Sequence, residues 1–361
     1  MAWCGAVIDR RAFLKAAGIG FAATLAPGSL LALEHADAVY ASGFRAPDGS
    51  FGIATVSERG EIIDRVALPA RAHGMAYSAA TGRVVAFARR PGTFAMVIDP
   101  SRQTEPIIMT APEGRHFYGH GHFSPDGAVL YASENDFDNN RGMIGLYDAR
   151  QRFRRIGEFD AHGIGTHDMT VSDDGSLLVI ANGGIETHPD FGRTKLNLDH
   201  MEPSLVMLDA RTGAVVQRHS LPSSLRQLST RHLDIAEGGR IWFACQWEGA
   251  RNAAPPLAGW FSKGDDIALL QLPDETTARL GNYVGAIAVS RHENIVGLTS
   301  PIAGGSVILD AKSGLVLREE SVREAAGVAP AAHGMAVSTY DGRFNGSRSD
   351  VAWDQHIVRI G

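Results

Sequence analysis

Cysteine is almost missing from this 361-residue chain, which holds two, Cys4 and Cys245. Cys4 falls in a leader segment, so the chain beyond that leader keeps one thiol and cannot close an internal disulfide. Cys245 stands in the strand-like run "IWFACQWE" and reads as a small buried hydrophobe rather than a reactive thiol. Basic runs are missing too. A formal charge of −6 and a pI near 6.2 argue against nucleic acid or an anionic membrane as a partner. No Gly-x-Ser-x-Gly elbow and no His-Glu-x-x-His occurs, so neither a hydrolase nucleophile nor a compact zinc motif is written here. No stretch between strand-like runs is long and amphipathic enough for a crossover helix, which sets aside an α/β fold.

Long apolar runs are scarce as well, with one exception near the start. "DRRAFLK" (9–15) places paired arginines before "AAGIGFAATLAPGSLLA" (16–32), which contains Gly and Pro and falls short of a membrane span. A charged region, an apolar region and small residues after it form an export signal, with Arg-Arg as a twin-arginine address. The expected organisation is a signal peptide over 1–38, cleaved between Ala32 and Ala38, and one domain over 39–361. The expected location is the periplasm, with no membrane span left after signal removal.

What the chain has in abundance is repetition. "RAHGMAYS" (71–78), "GTHDMTVS" (165–172) and "AAHGMAVS" (331–338) share one pattern. Six related segments end at Ser78, Ser124, Ser172, Ala236, Ser290 and Ser338, at spacings of 46, 48, 64, 54 and 48 residues. Turn signals such as "ATG", "PDG", "DDG", "EGG" and "YDG" come after most of them, and then β-rich apolar runs such as "RVVAFA" and "SLLVIA". Four short strands per unit of this length predict an all-β chain folded as a single β-propeller of four-stranded blades. The repeat count gives six blades, with room for a seventh. Strands from the segment after residue 38 are expected to close the ring with C-terminal strands, "HGMAVS" being the inner strand of that blade.

Each signature opens an inner strand, so its histidine belongs at one mouth of the central channel. That places His73, His120, His167, His232 and His333 around a common opening, as candidate metal ligands, because neutral imidazoles suit iron, copper and zinc. His122 stands beside them, and Met75, Met169 and Met335 offer soft sulfur, with inter-blade packing as their plainer role. Loops joining second to third strands share that face. They carry Arg89, Arg90, Glu134, Asn135, His188, Arg193, Trp247 and Glu248, and with Arg231 these form the candidate ligand-binding set. The polar stretch 182–204 reads as a rim over the mouth, while the turns at Gly82, Gly127, Gly175 and Gly342 are expected on the far face.

The segments "FARRPGTFAMVID", "GRHFYGHGHFSPDG", "YASENDFDNNRGMIGLYDA", "NGGIETHPDFGRTKLNLD" and "NYVGAIAV" together resemble a bacterial family catalogued as a domain of unknown function. The resemblance runs over about residues 40–335. Members carry twin-arginine signals, look like β-propellers and are encoded beside imelysin-like and di-haem cytochrome c peroxidase-like proteins in iron-uptake loci. The resemblance therefore implies a periplasmic role in iron acquisition, with exported imelysin-like or cytochrome-type proteins as partners; His122 departs from the small apolar residue expected there. The expected function is capture of a metal ion or metal chelate, iron first and copper as the alternative. A metal-dependent hydrolase or oxidoreductase, and a docking scaffold for the neighbouring proteins, are the competing readings. The lack of a base–nucleophile pair favours binding over catalysis.

Overall fold

The computed structural model describes residues 38–361, so the expected signal and its cleavage site lie outside the described residues. Seven four-stranded antiparallel sheets succeed one another around a channel. Their inner strands, in chain order, are Ala72–Ser78, Arg115–Phe123, Thr166–Val171, Leu228–Ile235, Ala286–Ser290, Ala325–Pro330 and Ala352–Arg359. The blades are numbered one to seven in that order. Blade seven joins Ala352–Arg359 to Ala38–Arg45, Phe51–Ser57 and Ile62–Leu68, with Tyr40 opposite Arg359 and Phe44 opposite Trp353.

The count of six is thus corrected to seven, and the reason is local. "HGMAVS" is not an inner strand: Met335–Thr339 is the second strand of blade six, behind Ala325–Pro330. The sequence "AAGVAP" of that inner strand has neither the histidine nor the terminal serine of the signature, so the repeat pattern does not reveal it.

Middle strands such as Arg83–Ala88 and Leu177–Asn182 are apolar on nearly every residue, because both faces of a blade are covered by neighbouring blades. The side chains of Trp242, Phe243, Phe87 and Trp353 fill these inter-blade layers and are fully buried. Cys245 belongs to the same packing, and burial pushes its thiol well above the usual range. Outer strands such as Val316–Ser321 are polar and mostly exposed. One seven-residue helix, Asp274–Leu280, interrupts the pattern. Among the described residues no helix is long and apolar enough to cross a membrane.

All inner strands run the same way, so the loops before them and the second-to-third loops share the mouth end. Gly82, Gly127 and Gly175 lie in first-to-second turns at the opposite end. Gly342 does not, because in blade six its turn comes after the second strand; its carbonyl accepts from Trp353 Nε1 at 3.3 Å.

Candidate functional site: a histidine hub beneath a cationic mouth

Five inner strands each send one imidazole into the channel: His73, His120, His167, His232 and His356. Ring centroids stand 4.8 Å apart for His73 and His120, 4.8 Å for His167 and His232, and 4.7 Å for His356 with either His120 or His232. Such interlocking needs backbone without side chains. A Cβ on Gly74 would lie 2.5 Å from His120 Nδ1, and one on Gly119, where φ is +111°, would lie 2.7 Å from His73 Cδ2. The glycine of "HGM" in blade one thus makes room for the next blade's ring.

Burial is the leading cause of lowered basicity throughout the hub. His73, His167 and His356 are held well below the ordinary histidine value by burial and by neighbouring imidazoles or arginines. Burial brings His120 down to about 4 even though Asp168 works the other way, and His232 is lowered by burial against the same opposition. All five rings are therefore neutral at pH 7, the form that ligates metals.

Asp168 lies between two of them, 3.3 Å from His120 Nδ1 and 3.6 Å from His232 Nδ1. Burial works to raise its carboxyl, but His120, His232 and the Leu233 amide outweigh this and hold it below the usual carboxylate range. The two imidazole approaches are charge contacts rather than hydrogen bonds, and His232 Nδ1 is itself buried without a hydrogen-bond partner among the described residues. Nε2 of His120, His167 and His356, both ring nitrogens of His232, and Nδ1 of His73 are buried without a hydrogen-bond partner among the described residues. Buried unpaired polar atoms are costly, so six on five neighbouring rings point to a ligand. Two groups of three fit a metal: the ligand nitrogens of His73, His120 and His356 lie within 4.8 Å of one another, as do those of His120, His167 and His232.

Above the hub is a cavity of about 190 Å³ with His73 and His167 in its lining. Arg89, Arg90, Arg193, Lys195 and Arg231 surround it, together with Tyr118, Tyr283, Gln246 and Gln355. Arg193 and Lys195 come from the stretch 182–204, a loop that Asn197 braces by accepting from Glu186 N at 2.8 Å and donating to the Gly184 carbonyl at 3.0 Å. Burial and the nearby Arg89, Arg90 and Arg231 push the Arg193 guanidinium down to about 10. Arg90, buried over the Tyr118 ring at 5.5 Å, is also lowered, first by burial. Glu248 pairs with Lys195 and, at 3.2 Å, with Arg231. A second chamber of about 220 Å³ lies on the other side of the rings, lined in part by Met75, His122, Asp168, Met169 and Asp234.

Four of the five expected ligands meet in the hub; His333 does not. It lies in the first-to-second turn of blade six, at the far end of the channel, with its side chain 95% exposed and 3.8 Å from Glu293. His356 takes the fifth place. The strand "AWDQHIVR" lacks the repeat signature, so the repeat does not mark it. Arg89, Arg90, Arg193 and Arg231 all reach the mouth, and Glu248 pairs at its edge. Lys195, Tyr118 and Tyr283 carry no repeat signal, and Asp168, although inside the signature "GTHDMTVS", is not among the expected site residues.

Glu134 belongs to a structural network inside blade two, accepting from Tyr147 Oη at 2.6 Å and Arg155 at 2.9 Å. Asn135 pins the rim, donating to the Thr187 carbonyl at 3.2 Å. His188 packs on the outer side of that rim, its ring 5.1 Å from Phe137. Trp247 faces a neighbouring groove with Arg251 and Asn252 and donates to the Ala250 carbonyl at 3.0 Å. Met335 packs against Ala286, Ala288 and Val328.

The model of a family described as "Protein of unknown function (DUF1513)" matches residues 66–360. No curated protein matches the chain. Among solved structures, hydrazine synthase of Kuenenia stuttgartiensis is similar at 15% identity and a TM-score of 0.60, over 87% of this chain and 94% of that one. The β-propeller domain of Cps50 (Swd1) from Myceliophteria thermophila is similar at 13% identity and a TM-score of 0.58, over 84% and 90%. At these identities the likeness is one of fold.

Proposed function

Because this chain belongs to the DUF1513 family, and because five neutral imidazoles meet under its mouth, we propose that it is a periplasmic binding protein of iron acquisition. It captures a metal ion or metal chelate in the channel. The observation that carries this reading is the set of six buried ring nitrogens without partners, on five histidines from five blades. Three imidazoles hold one ion and leave coordination positions open toward the mouth, where a chelate's own oxygens complete the shell. The twin-arginine leader supplies export, and the resemblance to proteins of iron-uptake loci supplies iron as the metal, with imelysin-like or cytochrome-type proteins as the receivers. Met75 and Met169 line the chamber below the rings, which keeps copper as an arm of the test.

The test is calorimetric titration of Fe(II), ferric citrate and Cu(II) into metal-free protein. The His167→Ala/His356→Ala variant removes one ligand from each group of three. Its metal affinity is expected to fall by more than about 100-fold, beyond the 10–100-fold usual for second-shell changes. His333→Ala is expected to bind like wild type. Equal heats for wild type and the double variant, or none for either, would leave the hub a set of structural side chains. A metal-dependent enzyme is the second reading, favoured by the open cavity beside the three-histidine groups.

A further inference from the structure

We infer that the mouth is a polyanion site, whose ligand is an oxyanion with three or more negative charges that brings the metal as its complex. The metal part rests on the proposed metal-binding function, while the anion part stands on the mouth alone.

Five cationic side chains line this space and no carboxylate does; Glu248, behind its edge, is shared by Lys195 and Arg231. Asp354, close by, is taken by Arg71 at 2.7 Å. Arg89, Arg90 and Arg193 have no carboxylate partner among the described residues. Arginines that merely brace loops are paired; these converge from two blades, and Arg89 Nε, Arg90 Nη1 and Arg231 Nε are buried without hydrogen-bond partners. Guanidinium groups match the planar oxygen pairs of carboxylates and phosphates, and a multiply charged one would satisfy three forks at once. Tyr283 adds a hydroxyl donor on the same lining, its oxygen accepting from Gln355 Nε2 at 2.6 Å, whereas the Tyr118 hydroxyl is engaged by the Ile185 carbonyl and Thr187. A hydrated bare cation meets a field of the wrong sign here, whereas an anionic complex is drawn in. The mouth thus selects the complex over the free ion, and the hub below meets the metal that the complex presents.

Polycarboxylates and polyphosphates share this chemistry, so both are probed. Metal-free citrate, pyrophosphate and acetate are titrated into metal-free wild type, into His333→Ala, which lies outside the channel site, and into Arg89→Gln/Arg193→Gln. Citrate or pyrophosphate should bind wild type and the histidine variant within about threefold of each other, and acetate at least about tenfold more weakly. The arginine variant should lose at least about tenfold, as expected for charge-assisted hydrogen bonds. Binding should weaken as salt rises to about 0.5 M. Relief of mutual repulsion should also keep the melting temperature of the arginine variant at or above that of wild type, so lost binding cannot be put down to unfolding. Failure of both polyanions to bind wild type, or equal binding by the arginine variant, overturns the inference. If citrate binds but ferric citrate binds no tighter, the metal reading fails and the polyanion site stands.

Discussion

Deleting Ala352–Gly361 is expected to abolish cooperative folding, seen as loss of a thermal transition by circular dichroism and calorimetry. These residues supply the inner strand of blade seven, pairing with Ala38–Arg45 from Tyr40–Arg359 to Arg45–Ala352. Without them that strand becomes an open edge at the channel, and the faces that blades six and one turn toward it are uncovered. The deletion also removes Trp353, which is 1% exposed and packs against Phe44 and Phe344 at centroid distances of 6.5 and 5.1 Å. Trp353→Ala alone is expected to cost about 3–5 kcal/mol, the usual range for emptying a buried tryptophan site. A truncated chain that melts cooperatively near the wild-type temperature would show that the ring does not depend on this closure.

The metal-free protein should lose stability steeply as pH falls below 6.5. In the folded state the hub histidines resist protonation, with His120 at about 4 and His73, His167, His232 and His356 all lowered. In the unfolded chain they titrate near the ordinary value of about 6.5. Above that pH both states are neutral and nothing is lost. Below it the unfolded state takes up protons that the folded state refuses, at about 1.4 kcal/mol per pH unit for each group, until the folded value is reached. Asp234 works in the opposite direction, its carboxyl raised to about 6 chiefly by burial, so it returns roughly one histidine's share between pH 6 and about 4. Several kcal/mol should be lost by pH 5, read as the melting temperature across pH 5–8. The His167→Ala/His356→Ala variant should show a shallower fall. A flat profile for wild type would mean that the imidazoles are hydrated rather than buried.

The architecture was legible because the repeat is physical. Every blade needs an inner strand, a tight turn and apolar middle strands, and "HGMAYS", "ATG" and "RVVAFA" express all three. The seventh blade was not, because "AAGVAP" and "AWDQHIVR" do the same structural work with unrelated residues. Inner strands of blades five and six send no histidine to the hub, so a signature built on histidine could not mark them all. His333 sits in a sequence almost identical to that of His73, yet one strand's displacement within its blade moves it to the far end of the channel. The cationic mouth was half visible: Arg89, Arg90, Arg193 and Arg231 stand on loops that the topology brings together. The buried role of Glu134 was hidden, since a carboxylate near a loop looks the same whether Arg155 or solvent meets it.

The most direct measurement is anomalous diffraction at the metal edge from crystals of the protein loaded with ferric citrate. A single strong peak is expected in the channel, about 2.0–2.2 Å from at least two nitrogens of one group, His73, His120 and His356 or His120, His167 and His232. Chelate density should extend from it toward Arg89, Arg90 and Arg193. A channel without a peak, or metal held only on the outer surface, would contradict the hub as the metal-binding centre.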